Sequence, residues 1–435
     1  MYSYKRFLFI ALLLLLVLPA VQTIMPLVKV HPLNGYFDPI TKPQFNWADA
    51  KANVYQPAFE QHLESELGFR PWFIRLRNQI AYSLFNELRV EGIFLGKDRV
   101  LFQQGPIDTY LGRRFLGDKE IGIRLQRLRR IQDSLQAHGT QFLFVIAPSK
   151  ARFFADKLPD SSAAITPRRS NYDAVKEQLT QFGINTIDFN PLFLHWKQQQ
   201  KYALFPRGGA HWSGFATTLA ADTLFRKLEN LTNKDFPDFQ SQGNTVVTTP
   251  RQLRYTDGDL MELCNLIWDE APYPMAYPNV VFGPPSGKFQ PNVLVVGDSF
   301  SQSFYGFYPY YQTLFDPRSR FWFYNDHVYW PEETPGESRN VHELNLRNQL
   351  AKRDVVLFIT MEENLSRLGF GFIDDVFNLL IPTPEHAKER IRKIEEDIRN
   401  NPEWLKSITD KAKVSHITVE EAIHRDAVYM QSLEQ

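Results

Sequence analysis

A serine that directly follows an apolar run has the setting of a catalytic nucleophile. The run 293–296 predicts a buried strand, and the sequence Gly-Asp-Ser-Phe at 297–300 follows it where a helix is predicted to begin. The backbone N–H of a serine at such a junction can face a developing oxyanion. Gly297 permits the sharp turn, and the Asp298 side chain can bond nearby backbone groups. We therefore interpret Ser299 as the nucleophile, although serine is also an ordinary helix N-cap.

The second residue suited to this chemistry is His211, because a serine hydroxyl needs a base near neutral pH and histidine is the usual one. His211 lies in a glycine-rich loop beside Trp212, directly before a helix predicted at 214–230. His195 also precedes a tryptophan, but it falls within a helical pattern and fits a structural role better. We therefore predict that His211 and Ser299 meet across a shared groove and support covalent acyl transfer.

Composition argues against several other kinds of site. Ten histidines are scattered without His-x-x-x-His spacing, and no acidic cage is evident, so neither a metal nor another cofactor is predicted. The single cysteine, Cys264, excludes an intrachain disulfide and a cysteine-based metal site. Lysine plus arginine equals aspartate plus glutamate at 49 each, and this balance argues against nucleic-acid binding.

Apolar runs and helical patterns alternate along the middle of the chain, which predicts an α/β fold with a mostly parallel sheet covered on both faces. The predicted strands are 141–146, 185–188, 292–296 and 354–359, and the predicted helices are 119–137, 170–182 and 214–230. Ligands bind beyond the carboxyl ends of the strands in such sheets. The polar clusters at these ends are 148–150, 298–299 and 362–364.

The N-terminus carries an export signal. Lys5 and Arg6 precede an unbroken apolar run over 7–18, and positive charge on this side predicts that the remainder is exported. We see no clear cleavage site and favour an uncleaved anchor. The chain is then divided into a signal anchor or signal peptide at 1–24, a tether at 25–54, a catalytic domain at 55–383 and a C-terminal helical appendage at 384–435.

Several of these features together resemble the SGNH-like domain of the AlgJ/AlgX alginate O-acetyltransferase group. The main features are His-Trp-Ser at 211–213 opening a helix and the strand–Gly-Asp-Ser-Phe sequence downstream. The resemblance extends to the sequences at 59–60, 67–70, 84–85, 96–98, 101–102, 147–150 and 158–159, and to Asn78 and Tyr82, so that it covers about residues 55–375.

The resemblance implies both a fold and a role. The fold is an SGNH-hydrolase-like three-layer α/β sandwich. The role is transfer of an acetyl group onto a surface or secreted polysaccharide, on the periplasmic side of the inner membrane. A multi-spanning membrane acyltransferase is the usual partner that delivers the acetyl donor in this family.

One departure from the family concerns the residue that orients the histidine. The family motif is usually Asp-x-His-Trp, but Gly209 occupies the aspartate position here. Loss of a triad acid costs about ten-thousand-fold in rate. The substitutes considered are Asp257, Asp259, Glu362 and Glu363. We favour Glu363, because it follows a predicted strand. Candidate oxyanion donors are Asn325 and Asn364.

Aromatic residues downstream of Ser299 suggest a sugar-binding surface. Phe304, Phe307 and Tyr311 recur at helical spacing and are assigned to the core, which leaves Tyr305, Tyr308 and Tyr310 as candidates for stacking on substrate. Three functions remain open at this point: a polysaccharide O-acetyltransferase, a carbohydrate esterase that uses water as acceptor, and a catalytically silent glycan-binding or assembly subunit.

Overall fold

A computed structural model describes residues 2–35, 40–381 and 385–433. Its strands are β1 (Ile93–Leu95), β2 (Leu101–Gln103), β3 (Gln141–Ala147), β4 (Thr186–Asp188), β5 (Phe239–Val247), β6 (Met275–Phe282), β7 (Val293–Gly297), β8 (Arg320–Phe323), β9 (His327–Trp330) and β10 (Val355–Met361).

Helices flank these strands along the chain. They are α1 (Tyr2–Ile24), α2 (Trp47–Lys51), α3 (Tyr55–Glu66), α4 (Arg70–Phe85), α5 (Gln104–Tyr110), α6 (Asp118–Ala137), α7 (Lys150–Phe153), α8 (Asp160–Ala163), α9 (Asn171–Phe182), α10 (Phe189–Gln199), α11 (Gly214–Thr232), α12 (Asp259–Leu263), α13 (Ser303–Gly306), α14 (Tyr310–Leu314), α15 (Leu346–Leu350), α16 (Phe372–Leu380), α17 (Glu385–Asn400), α18 (Pro402–Val414) and α19 (Val419–Leu433).

The centre of the fold is a six-stranded sheet in the order β4-β3-β10-β7-β8-β9. The first five strands run parallel, and β9 pairs antiparallel with β8 at the edge. The predicted mostly parallel α/β sheet is therefore confirmed. The strands β8 and β9 and the separate two-stranded sheet of β5 and β6 were not predicted.

Helices cover both faces of the sheet, as the three-layer sandwich requires. On one face, alternate side chains such as Val145, Val295 and Leu357 pack against α10 and α11. On the other face, residues such as Phe144 and Val296 pack against α6, α9 and α16. Each fully buried side chain of this kind contributes about 1.5–3 kcal/mol. This two-sided burial explains why β3, β7 and β10 read as continuous apolar runs rather than alternating ones.

The carboxyl ends of β3, β7 and β10 meet at one edge of the sheet. Leu357 of β10 is in register with Leu143 of β3 and with Val295 of β7. At the end of β7, a Cβ on Gly297 would lie 2.9 Å from the carbonyl oxygen of Ile359. Glycine is therefore needed for this close approach, which places the residues after β7 against the end of β10.

The two ends of the chain lie outside this sandwich. Within α1, residues Tyr4–Ile24 are long and apolar enough to cross a membrane, with a mean hydropathy of 2.6 and only 12% burial. Helices α17–α19 enclose a small apolar core of their own and are joined to α16 by an ion pair between Arg425 and Asp375 at 2.9 Å. The expected boundary between catalytic domain and appendage, at 383/384, lies outside the described residues.

Candidate active site

Three side chains from separate segments form a hydrogen-bonded chain at the carboxyl edge of the sheet. The Nε2 atom of His211 lies 2.9 Å from the Oγ of Ser299. The other ring nitrogen, Nδ1, lies 2.8 Å from the Oδ2 of Asp259. This is the arrangement of nucleophile, base and orienting acid found in serine hydrolases. The structure thus brings together the predicted nucleophile and base, although 88 positions separate them in sequence.

Ser299 lies in a tight turn after β7 and not at the start of a helix. The next helix, α13, begins only at Ser303 and has four residues, so the expected helix N-terminus at Ser299 is wrong. The turn is held instead by Ser301, whose N–H and hydroxyl donate to the Asp298 carbonyl at 3.0 and 2.6 Å. Local hydrogen bonds, rather than a helix, therefore position Ser299.

The Asp298 side chain fastens this turn to the end of β10. It is fully buried and accepts hydrogen bonds from the Met361 N–H at 2.7 Å and from the Asn364 amide at 2.8 Å. A third bond comes from the Phe300 N–H at 3.1 Å. Burial raises the pKa of Asp298, and these donors oppose the rise. Asp298 is thus placed to support the site, because its carboxylate joins the turn that carries Ser299 to the end of β10.

The His211 loop is fixed by its neighbours on both sides. Trp212 is fully buried, with its ring 5.5 Å from those of Phe189 and Phe300. Ser213 is the N-cap of α11, because its Oγ accepts from the Ala216 N–H at 3.1 Å. The imidazole therefore projects from a short loop that is anchored directly after it.

Asp259 takes the place of the aspartate that Gly209 lacks. Besides contacting His211, its Oδ1 accepts a hydrogen bond from the Ala210 N–H at 2.8 Å. A Cβ on Gly209 would lie only 2.6 Å from the Thr256 carbonyl oxygen. The segment that carries Asp259 thus fills the space that a side chain at 209 would need.

The favoured substitute, Glu363, does not orient His211, and that prediction is wrong. Its Oε1 lies 3.3 Å from the Arg114 guanidinium, and its carboxylate packs against Gly105 of α5. β10 ends at Met361, and the turn that follows directs Glu363 toward α5. The remaining candidates are also engaged elsewhere: Glu362 pairs with Arg152 at 2.6 Å, and Asp257 accepts from the Tyr277 hydroxyl at 2.7 Å.

The two asparagines considered as oxyanion donors are engaged by other acceptors. The Asn364 amide donates to Asp298, and the Asn325 amide donates to the Phe370 carbonyl at 3.2 Å. Both groups therefore act in this structure by holding the surroundings of Ser299 in place.

Tyr324 is a neighbour of Ser299 that the sequence did not indicate. Its phenol lies near Ser299 and Asn364, and burial raises its pKa. Tyr324 and Asn325 both have a positive φ, 53° and 55°. Such a conformation is uncommon in residues other than glycine, costs about 1–3 kcal/mol, and is typical of functional sites. The strained turn after β8 thus places Tyr324 near Ser299.

The predicted stacking tyrosines are only partly available to a ligand. Tyr310 is fully buried and donates to the Thr218 hydroxyl at 3.0 Å, so its assignment as a substrate contact is wrong. Tyr308 is half-buried against Tyr310, with ring centroids 5.7 Å apart. Tyr305 is half-buried and lies edge-on to Tyr329 at 5.3 Å. A new helix, α14, begins at Tyr310 directly after Pro309, so the phase assumed from α13 does not carry through to Tyr310.

An aromatic cluster does lie beside the acid, but it is drawn from several segments. We define it as Tyr255, Tyr305 and Tyr329. Tyr255 is 41% exposed and packs over Gly306, and its hydroxyl lies near that of Tyr329. This aromatic cluster presents ring surface next to the segment that supplies Asp259.

Lys150 stabilises the loop that carries His211 from its buried side. Its Nζ is buried and donates to the carbonyl oxygens of Gly209 at 2.6 Å and Arg207 at 3.1 Å. Burial lowers its pKa to about 7, while the nearby carboxylates of Asp259 and Asp257 oppose the shift. Lys150 therefore holds the backbone directly before His211.

The fold and this site together define a class. A three-layer α/β sandwich with a Ser–His–Asp chain at the carboxyl edge of its sheet is an SGNH-hydrolase-like protein of the serine acyl-transfer kind. Residues 93–317, just over half of the chain, match the model of the SGNH hydrolase-like domain of the acetyltransferase AlgX. The chain belongs to this family.

Curated relatives include proteins described as probable alginate O-acetylase AlgJ. The Pseudomonas putida protein is 27% identical over 194 residues, which cover 43% of this chain and 48% of the relative. The Pseudomonas aeruginosa protein is 25% identical over 215 residues, with 49% and 51% covered. The chain thus matches about half the length of these relatives.

Two solved structures are also similar. The O-acetyltransferase domain of Pseudomonas putida AlgJ has a TM-score of 0.42 and 20% identity, and the match covers 66% of this chain and 99% of that one. Bacillus cereus PatB1 with a sulfonyl adduct has a TM-score of 0.39 and 13% identity, with the same coverage of both chains.

Replacement of Asp259 tests the identity of the triad acid. We expect Asp259→Asn to lower kcat for hydrolysis of 4-nitrophenyl acetate by about 10⁴-fold, because His211 loses the carboxylate that fixes its tautomer. The matched control is Glu363→Gln, which should stay within a few-fold of the parent protein. Adding Gly209→Asp to Asp259→Asn should not restore activity, because the new side chain would meet Thr256. Full activity of Asp259→Asn would refute this assignment.

Replacement of Lys150 tests the support of the His211 loop. Lys150→Met should lower kcat by about 10²-fold, because small displacements of a catalytic group are costly. The control Lys197→Met removes a similar bond, from Lys197 to the Phe153 carbonyl, away from the triad.

A pH series separates this role of Lys150 from simple packing. Burial lowers the pKa of Lys150 in the folded protein to about 7, whereas its ordinary value in an unfolded chain is about 10.5. The unfolded state therefore binds more protons between these values, and stability relative to Lys150→Met should rise with pH in that window. Parallel denaturant midpoints for the two proteins across this range would contradict the buried position of Lys150.

Proposed function

We propose that this protein is an O-acetyltransferase that moves an acetyl group from a donor to a hydroxyl of an extracytoplasmic polysaccharide. The observation that carries the proposal is the continuous chain of hydrogen bonds from Asp259 through His211 to Ser299. The family supports acetyl transfer as the reaction, and the relatives described as alginate O-acetylases support a polysaccharide acceptor.

The first half of the reaction forms an acetyl-serine. His211 Nε2 takes the proton of Ser299 as its Oγ attacks the carbonyl carbon of the donor. Asp259 stabilises the imidazolium that results. The oxyanion is proposed to interact with the Ser299 N–H and with the phenol of Tyr324, which lies near Ser299. The intermediate then collapses, and His211 returns the proton to the leaving group.

The second half passes the acetyl group to the acceptor. A sugar hydroxyl gives its proton to His211 and attacks the acetyl carbonyl, and Ser299 leaves with the proton returned by His211. The sugar must compete with water, so the site has to orient it. The aromatic cluster of Tyr255, Tyr305 and Tyr329 offers ring faces for this purpose.

The presence of Asp259 bears on the competing functions. A catalytically silent subunit was considered because Gly209 lacks a carboxylate, and Asp259 removes that reason. An esterase would use the same three residues with water as acceptor, so the two enzymes differ only in how well the acceptor sugar is held.

We further propose that the protein is anchored in the inner membrane by α1 and acts on its periplasmic side. The length and apolar character of Tyr4–Ile24, after Lys5 and Arg6, support this placement. The catalytic domain is proposed to span 55–383, with 25–54 as tether and 384–435 as appendage. A multi-spanning membrane acyltransferase would supply the acetyl donor.

Acetyl partition between water and sugar tests the proposed function. The purified full chain in detergent should hydrolyse 4-nitrophenyl acetate slowly, and unacetylated alginate oligosaccharide should divert acetyl onto sugar, as read by mass spectrometry. Ser299→Ala should abolish both reactions, whereas the control Ser241→Ala, on the exposed part of β5, should retain both.

Each contrary result identifies a different alternative. Hydrolysis that no glycan changes would favour the esterase. Activity that persists in Ser299→Ala would refute the covalent mechanism. A silent parent protein would restore the binding-subunit hypothesis.

Replacement of Tyr255 tests acceptor orientation by the aromatic cluster. Tyr255→Ala should raise the ratio of hydrolysis to transfer severalfold, because a sugar that stacks on an aromatic side chain needs a ring face. Tyr255→Phe retains the ring and should resemble the parent. An unchanged ratio in Tyr255→Ala would exclude the cluster from acceptor binding.

A further inference from the structure

The buried face of helix α4 carries polar side chains. Asn78, Gln79 and Tyr82 are buried. The Asn78 amide donates to the Cys264 carbonyl at 2.9 Å, and the Tyr82 hydroxyl bonds the Glu270 carboxylate at 3.1 Å. The Gln79 side-chain oxygen accepts from two backbone N–H groups of the segment 267–268. These polar contacts, together with the packing of Tyr82 in a small apolar cluster, hold α4 against the rest of the domain.

The opposite face of α4 is apolar and exposed. We define the apolar stripe as Phe73, Leu76, Ile80 and Leu84, which recur at spacings of three, four and four residues. Their exposed fractions are 41%, 46%, 44% and 72%. Contiguous apolar surface of this kind marks a contact with a partner or a membrane.

The start of α4 adjoins the end of the apolar helix α1. The Gly68 N–H, two residues before α4, donates to the Thr23 hydroxyl at 2.7 Å. A Cβ on Gly68 would lie 2.6 Å from the Pro19 carbonyl oxygen and from the Gln22 side chain. The last turns of α1 therefore pack on the corner from which the stripe begins.

Aromatic and apolar residues continue the surface around this corner. Trp72 is 50% exposed and lies beside Phe69, with ring centroids 5.6 Å apart. Directly after α1, Met25 and Leu27 are 60% and 66% exposed. Tryptophan next to apolar residues at the end of a spanning helix is typical of the membrane–water boundary.

We propose that the apolar stripe of α4 lies in the headgroup–acyl boundary of the bilayer that α1 spans. This inference rests on the proposed anchoring by α1 but not on the proposed chemistry. Two contacts then hold the catalytic domain, one spanning the membrane and one lying along its surface, as amphipathic interfacial helices do.

Charge indicates that apolar insertion, rather than lipid charge, provides the attraction. Helix α4 carries Arg70, Arg75 and Arg77 and no acid, but Arg75 is engaged by the carbonyls of 31–32. Helix α3, which precedes the corner, carries three glutamates. These opposite charges balance, so a zwitterionic bilayer is the fitting surface.

The single native cysteine makes a direct test practical. Cys264 is 2% exposed, so a thiol-reactive NBD fluorophore will report on one introduced cysteine. We would place it at Ile80→Cys on the stripe and at Arg226→Cys on the exposed face of α11 as the matched control. The full chain is then reconstituted in phosphatidylcholine nanodiscs, with and without lipids that carry a nitroxide quencher near the headgroup.

We expect a blue-shifted emission and severalfold stronger quenching at position 80 than at position 226. Equal, water-like signals in chains that remain bound to the nanodiscs would overturn the stripe contact and leave the anchoring intact. Chains that do not associate with nanodiscs would overturn both. A label at position 80 that is exposed in pure lipid but protected in native membranes would assign the stripe to a membrane-protein partner and overturn the lipid assignment.

A double substitution checks the same contact without a label on it. Ile80→Asp with Leu84→Asp should move a fluorophore at Leu76→Cys into water, while hydrolysis of 4-nitrophenyl acetate in detergent stays unchanged. Retained hydrolysis shows that the variant is folded. If the parent chain shows no Ser299-dependent hydrolysis, that result contradicts the proposed function and not the stripe contact. Undiminished quenching at position 76 in the double variant would overturn the proposal.

Discussion

The buried carboxylate of Asp298 is the constraint on which the site depends. Its oxygens accept hydrogen bonds from the end of β10 and from the turn that carries Ser299. A carboxylate without these donors would be costly to bury, because burial penalises the charged form. β7 and β10 therefore have to stay in register for the Asp298 carboxylate to keep its hydrogen-bond donors. The same hydrogen bonds fix the position of Ser299.

The acid and the base of the site come from two loops that share one space. Asp259 reaches His211 only because position 209 has no side chain, and the segment 255–258 occupies the volume that a side chain there would fill. Positions 209 and 259 are therefore coupled sterically, because a side chain at 209 would displace the segment that carries Asp259. Lys150 stabilises the same arrangement from the buried side, since it satisfies the backbone carbonyls of this loop.

The sequence was sufficient for the elements that depend on local pattern. β3, β7 and β10 are continuous apolar runs, which predict buried strands. Ser299 follows the end of β7, and His211 precedes the start of α11. Glu363 was chosen by the same logic, but side-chain direction at a strand end depends on the turn that follows. Asp259 lies 48 residues from His211, and nothing local marks it. Tyr324 was missed because a positive φ in a tyrosine comes from the surrounding fold and not from residue preference.

Asp259 comes from a segment outside the central sheet, and this affects how the site loses its order on heating. The segment 255–263 contributes no strand to the central sheet, and its backbone is tied to the His211 loop by the Met261 N–H, which donates to the Gly208 carbonyl at 2.9 Å. Leu260 and Met261 pack in a small apolar cluster that is separate from the two cores flanking the sheet, and such a separate unit can open locally at a lower free energy than the whole domain. Fluctuation of this one segment would uncouple the imidazole from its acid while the six-stranded sheet remains intact. Thermal inactivation can therefore precede global melting, and the working temperature range is then set by a loop rather than by the core.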